Sequence, residues 1–284
     1  MISFDFDYER PGSLVEAVQL FLQAEEQGRL PLYFGGGTEI ITLARIEELY
    51  TEAVLDVKCI PGMRALQVTG ERIVTGAALS LNEVVQANVY PLLSATAGKI
   101  ADHNSRNKIT LGGNLCGRII YREAVLPLLV ADSEVVLAGP SGLRIVPLRS
   151  VFDRTMRLEK GELLVQIHTP VEAATASYAH VRKNQLEEID YPLVTVSALW
   201  LSGRIRMAVS GLLPYPFRSE EVEAALNGDG SVEARVEEAV RRLPEPVMAD
   251  IRASSAYREH VFRVVLMEIL EAWEAEGGEW GHEG

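Results

Sequence analysis

This 284-residue sequence is short of cysteine, of clustered histidine and, relative to its acids, of positive charge. Two cysteines, Cys59 and Cys116, are too few to ligate an iron–sulfur cluster or to build a disulfide framework. They read as small buried apolar residues rather than a redox pair. The five histidines, His103, His168, His180, His260 and His282, show no metal-ligand spacing, so no metal is implied. Lysine and arginine number 27 against 40 acidic side chains, a net charge of −13. That balance disfavours nonspecific binding to nucleic acid or to an anionic membrane. No apolar run approaches the ~18 residues that cross a bilayer, and the opening "MISFDFDYERPGS" carries acids where a signal peptide carries positive charge. A soluble, cytoplasmic protein is expected. Missing as well are the phosphate loop G-x-x-x-x-G-K-[ST] and a G-x-G-x-x-G leading into a helix.

What the chain does have is glycine at two comparable junctions. "YFGGGTEI", residues 33 to 40, follows a short apolar run with three glycines, then Thr38 and Glu39. "NKITLGGNLCG", residues 107 to 117, runs from Ile109, Thr110 and Leu111, which read as the end of a strand, into Gly112, Gly113 and Asn114. Glycine lets another group pack directly on the main chain, and backbone N–H groups freed there form anion-binding concavities suited to a pyrophosphate. Either stretch alone also reads as a plain turn. Together they suggest a dinucleotide held outside a Rossmann or P-loop scaffold.

Helical spacing over residues 13 to 28, with Ser13 as N-cap and Gly28 as stop, predicts an amphipathic surface helix. "LPLYFGG" and "AVLDVKCI" read as buried strands flanking a short helix, "EIITLARIEEL". Short strands follow from residue 64. The segment from Ser80 to Ile100 reads as helical, with Ser80 and Glu83 placed as a capping box. Residues 124 to 132 read as an apolar helix, residues 134 to 148 as a hairpin turning at Gly139–Gly142, and "GELLVQIHTP" as a strand. After Pro170 come three antiparallel strands and then helices from Ser219 to Ala275. Strands followed by helices make a second α+β unit, with the boundary near residue 172 and a frayed tail at 277–284.

Six ordered segments carry a further signal: "FGGGTEI", "LDVKCIPGMRAL", "IVTGAALSLNEV", "ITLGGNL", "PLLVADSEVVLAGPSGLRIVPL" and "YAHVRKNQLEEIDYPLVTVSALW". Over roughly residues 3 to 270 they resemble the FAD-binding subunit of molybdenum hydroxylases, the xanthine dehydrogenase and carbon monoxide dehydrogenase group. The resemblance implies an α+β chain with a two-lobed vanillyl-alcohol-oxidase-type (PCMH-type) FAD-binding domain at 1–171, its lobes about 1–58 and 59–171. A small C-terminal flavoprotein domain at 172–276 would follow, with a three-stranded antiparallel sheet and a helical bundle. Carried over from the family, Gly35, Gly36, Gly37, Thr38 and Glu39, then Thr110, Leu111, Gly112, Gly113 and Asn114, hold FAD by its pyrophosphate and adjacent parts. Glu123 stands where the family commonly has an aspartate near the flavin, and Glu188 and Asp190 compete for a second family aspartate.

The same resemblance implies electron transfer rather than hydroxylation by this chain. A molybdopterin-binding subunit oxidises the substrate, most commonly xanthine, and a subunit with two [2Fe–2S] clusters relays electrons to FAD for NAD+ or another acceptor. The two cysteines agree, since neither cluster has ligands here. No catalytic acid or base is identifiable by spacing. Arg182 and Lys183 suit either cofactor contact or a solvated strand face. His103 and Arg106 read as cofactor contacts or loop polarity, Asp132 and Ser133 as a turn cap beside the flavin, and Trp200, Trp273 and Trp280 as core or tail. Residues 33 to 40 contain no histidine for covalent attachment, so FAD is expected to be noncovalent. A self-contained flavin oxidoreductase of the same fold, and a flavin-free scaffold subunit, remain the other readings.

Overall fold

A computed structural model describes residues 2–185 and 190–275. Glu188, Trp280, His282 and the 277–284 tail therefore lie outside the described residues. The chain divides into two compact units. The first holds the residues up to Val89, with Asp102–Arg118 and Asp132–Val171; the second holds Tyr90–Ala101, Ile119–Ala131 and everything from Glu172.

The first unit opens with strand β1 (Asp7–Glu9), helix α1 (Leu14–Glu26), strand β2 (Pro31–Phe34), helix α2 (Thr38–Arg45) and strand β3 (Ala53–Asp56). Ser13 caps α1 as expected, its hydroxyl accepting from Glu16 N–H at 3.1 Å, and the helix buries Ala17, Val18 and Ala24. The strands form a parallel sheet in the order β1-β3-β2, with the central β3 buried along its whole length. Such a strand reads as continuous apolar sequence rather than alternation, which is how "AVLD" appears. Strands β4 (Leu66–Val68) and β5 (Arg72–Gly76) join Leu163–Pro170, Glu134–Gly139 and Gly142–Pro147 in a five-stranded antiparallel sheet. Its hairpin turns between Gly139 and Gly142, where φ of +99° favours glycine.

Two local expectations are corrected. The segment from Ser80 to Ile100 is two helices, α3 (Leu81–Ala87) and Pro91–Gly98, and they belong to different units. The capping box on Ser80 and Glu83 is present, but Asn88 turns left-handed with φ of +46° and Pro91 starts a new helix at its first turn. Proline lacks the N–H that a continuing helix would need there. Downstream, the run Ile109–Leu111 is no strand. Thr110 makes an isolated bridge with Ser80, then caps helix Leu111–Cys116 by accepting from Gly113 N–H at 3.1 Å. The paired glycines lie in the first turn of that helix.

In the second unit, Ser177–Asn184, Pro192–Leu201 and Arg204–Ser210 form the expected three antiparallel strands, with the two-residue Phe217–Arg218 added at one edge. Val194, Val196, Ala198, Met207 and Val209 pack with Phe262, Leu266 and Leu270 of the long helix Ser255–Ala275. Trp200 and Trp273 contribute to this packing, their ring centroids 4.4 Å apart. Arg258 is fully buried, and its Nη1 donates to the carbonyls of Leu193 at 2.7 Å and Gly211 at 2.9 Å. The helix Val125–Val130 is buried on every face. Its end carbonyls are satisfied by arginines from the sheet: Arg218 donates to Leu129 O at 2.6 Å and Arg206 to Val130 O at 3.4 Å.

His180 is enclosed in the same unit, its Nδ1 lying 3.1 Å from Thr96 Oγ1 and 3.2 Å from Ser197 Oγ. Burial, reinforced by Arg182 and Lys99, lowers its pKa from 6.5 to about 4. The folded chain thus keeps it neutral while the unfolded chain protonates it below 6.5, so stability falls as pH drops from 6.5 toward 4. At pH 5 the loss is about 2 kcal/mol. In urea unfolding at pH 7 and pH 5, His180→Gln should remove that much of the pH dependence; equal losses in both proteins would contradict the assignment.

Candidate functional site

The two glycine stretches meet in the first unit. β2 ends at Phe34, and the chain runs through Gly35, Gly36 and Gly37 into α2. A Cβ on Gly35 would stand 2.7 Å from Thr110 Oγ1, and one on Gly36 would stand 1.6 Å from the Lys108 carbonyl oxygen. Gly37 has φ of +72°, and a Cβ there would meet the Phe34 ring at 2.1 Å. The second stretch is fitted as tightly to the strand-to-helix bend at 77–81. Leu111 and Gly112 donate to the carbonyls of Leu79 and Ala77, both at 2.8 Å, and a Cβ on Gly112 would lie 2.7 Å from that of Ala77. Close backbone approach on both sides explains glycine at these places.

The result is a backbone-walled cradle with positive polarity. Gly37 is the N-cap of α2 and supplies no side-chain cap, so the helix start presents uncapped N–H groups beside the loop. Across the cradle, Thr110 turns the chain into its short helix with Gly113 exposed and Asn114 half-buried. Glu39, in the first turn of α2, accepts from Arg118 N–H at 2.7 Å and so ties the two stretches together. A helix start of this kind is suited to an anion.

Sequence reasoning missed a polar network at the same sheet end. Lys58 Nζ donates to Gly35 O at 3.0 Å, pairs with Asp56 Oδ1 at 2.8 Å, and lies 4.6 Å from the centroid of the Phe34 ring. Tyr8 donates its hydroxyl to the other Asp56 oxygen. Burial pushes the Asp56 carboxyl up, but hydrogen bonds from Lys58 and Tyr8 outweigh it and hold the group below its ordinary value. The available signal was an Asp-x-Lys step that begins on the last residue of a buried strand. Lys58 also lines an open cleft of about 700 Å³ with Cys59, Ile60, Arg64, Gln67 and Gln166. Cys59, like Cys116, is exposed rather than buried as its apolar character suggested.

The other candidates have definite surroundings. Glu123 is buried in the second unit, where Arg182 Nε donates to it at 3.0 Å and Thr195 Oγ1 at 2.6 Å. Burial raises its pKa from the ordinary value, with Arg182 and Thr195 opposing. Arg182 also donates to Asn184 Oδ1 and to Asp190 O, and the Asp190 carboxylate pairs with Arg252 at 2.6 Å. Lys183 forms an exposed pair with Glu268 at 3.1 Å. In the first unit, Asn82 binds the carbonyl of His103 and accepts from Arg106 Nε, so these residues brace the loop leading to the second glycine stretch. Asp132 pairs with Arg149, and Ser133 Oγ lies 2.9 Å from Thr169 Oγ1. Among the described residues no group of three His, Cys, Asp or Glu side chains is placed to hold a metal, and no helix is long and apolar enough to cross a membrane.

The pattern of the family described as FAD binding domain in molybdopterin dehydrogenase matches residues 4–172, and that described as CO dehydrogenase flavoprotein C-terminal domain matches residues 187–273. Among curated proteins, the chain is similar to the carbon monoxide dehydrogenase medium chain of Hydrogenophaga pseudoflava, at 26% identity covering 96% of this chain and 98% of that one. It is similar also to the xanthine dehydrogenase FAD-binding subunit of Escherichia coli O157:H7, at 24% identity covering 97% and 99%. Among solved structures, carbon monoxide dehydrogenase from Hydrogenophaga pseudoflava, in a form lacking the Mo-pyranopterin moiety, matches with a TM-score of 0.83 and 27% identity over 97% of this chain and 99% of that chain.

Proposed function

We propose, from the premise that this chain belongs to the family of FAD-binding domains of molybdopterin dehydrogenases, that it takes electrons from an iron–sulfur partner and delivers them to NAD+ or another acceptor. The chain is an oxidoreductase subunit with FAD as its cofactor. The observation that carries the reading is Gly36 seated on the Lys108 carbonyl beside the uncapped start of α2. Bound FAD supplies the two-electron chemistry, while the protein binds, orients and shields it. In this reading Gly35, Gly36, Gly37, Thr38 and Glu39 face the pyrophosphate from one side, and Thr110, Leu111, Gly112, Gly113 and Asn114 from the other. Glu123, Arg182 and Lys183 join the cofactor set on the strength of the resemblance alone.

The FAD-binding domain is placed at 1–171 and the C-terminal flavoprotein domain at 172–276. Support comes from the family matches, which leave only residues 173–186 between them, and from a unit division between Val171 and Glu172. Segments 90–101 and 119–131 nevertheless group with the second unit. The proposed partners are a molybdopterin-binding subunit and a subunit with two [2Fe–2S] clusters, since the relatives are named as one chain of larger enzymes. Xanthine is the substrate proposed for the molybdenum partner, although relatives at similar identity are named for carbon monoxide as well as xanthine.

Two measurements test this. Purified from its host at low salt, the chain should bring down two companion chains carrying molybdenum and iron; a chain that purifies alone contradicts the partners. On acid precipitation the flavin should pass into the supernatant, and a yellow pellet contradicts noncovalent binding.

A further inference from the structure

Parallel pairing puts the ends of β2 and β3 side by side, with Phe34 opposite Asp56. Lys58, two residues beyond, therefore emerges at the same sheet end as the Gly35–Gly37 loop. Its ammonium spans that loop: it binds Gly35 O at 3.0 Å and rests against the Phe34 ring, the ring that fills the place a Gly37 side chain would need. An ammonium has three N–H donors. Gly35 O and Asp56 Oδ1 occupy two. The Lys58 side chain keeps 35% of its surface exposed, while Asp56, held by Tyr8, keeps 4%. The lysine can therefore reach a ligand, and the acid that positions it cannot. In a chain of net charge −13, a local cation would strengthen the hold of main-chain dipoles on a dianionic pyrophosphate.

We propose that Lys58 is a binding residue for the pyrophosphate of the dinucleotide cofactor, held in place by Asp56 and Tyr8. This rests on the FAD reading above and extends it to a residue outside both glycine motifs. Apoprotein is titrated with FAD, and separately with riboflavin, which has no pyrophosphate, by quenching of flavin fluorescence. Lys58→Gln keeps a donor for Gly35 O without the charge, and Lys58→Arg keeps both. FAD binding should weaken on the order of tenfold or more in Lys58→Gln and stay near wild type in Lys58→Arg, with riboflavin unaffected by either. The dissociation constant of the wild type for FAD should rise with ionic strength, and less steeply in Lys58→Gln. Wild-type affinity in Lys58→Gln, an equal loss of riboflavin binding, or a wild-type constant indifferent to salt each overturn the proposal. Wild-type protein that takes up no FAD overturns the cofactor reading itself, a result distinct from all of these.

Discussion

Gly36→Ala is expected to abolish FAD retention. Its Cβ would stand 1.6 Å from the Lys108 carbonyl oxygen and 2.7 Å from the carbonyl carbon, distances that only a backbone shift relieves. Lys108 cannot give way cheaply. Lys108 and Ile109 both donate to Ser105 O, at 2.9 and 2.8 Å, and buried Asn82 holds Asn107 and His103 just before them. The two glycine stretches must therefore part, at a cost of about 3 kcal/mol in stability and at least ~100-fold in FAD affinity. Gly113→Ala is the contrasting case, because its Cβ would meet only the Thr110 hydroxyl at 2.8 Å, a side-chain atom able to rotate. Gly70→Ala meets nothing within 4 Å and serves as the control. Equilibrium dialysis with FAD, alongside urea unfolding, should rank the three variants in that order of damage.

The second large effect is at Glu123. Both it and Arg182 are almost completely buried, with side-chain exposures of 5% and 8%. Glu123→Ala removes the buried carboxylate to which Arg182 Nε donates inside the second unit. Such a loss costs about 3–5 kcal/mol, whereas replacing both partners with apolar residues of similar size is nearly neutral. Urea unfolding of Glu123→Ala against a Glu123→Leu, Arg182→Met double variant checks this; a double variant as damaged as the single one would contradict it. FAD titration of the double variant also tests whether the pair contributes to the cofactor site, as proposed, since unchanged affinity would confine it to packing.

Elements set by local periodicity were legible in the sequence: α1 between Ser13 and Gly28, the hairpin at Gly139–Gly142, and the three strands after Pro170. What escaped depended on contacts far apart in the chain. The break at Asn88–Pro91 separates helices whose apolar faces belong to different units, and no local period records which core a face will join. The apolar helix Val125–Val130 was visible as a helix, but its membership of the second unit follows from Arg206 and Arg218, about 76 to 89 residues away. Thr110 looked like the end of a strand because threonine suits both strands and N-caps. At the site, the glycines were found because close approach leaves glycine as its trace. Lys58 left only the Asp-x-Lys step as a trace, since its placement depends on the parallel pairing of β2 and β3.

One measurement tests the central claim most directly: the absorption spectrum of the purified chain between 350 and 500 nm, after FAD is added and free flavin removed by gel filtration. A retained flavin band in the wild type, absent from a Gly36→Val, Gly113→Val double variant that remains folded by circular dichroism, is the predicted result. A folded wild-type chain that retains no flavin, or a folded double variant that retains it fully, would contradict FAD binding at this cradle.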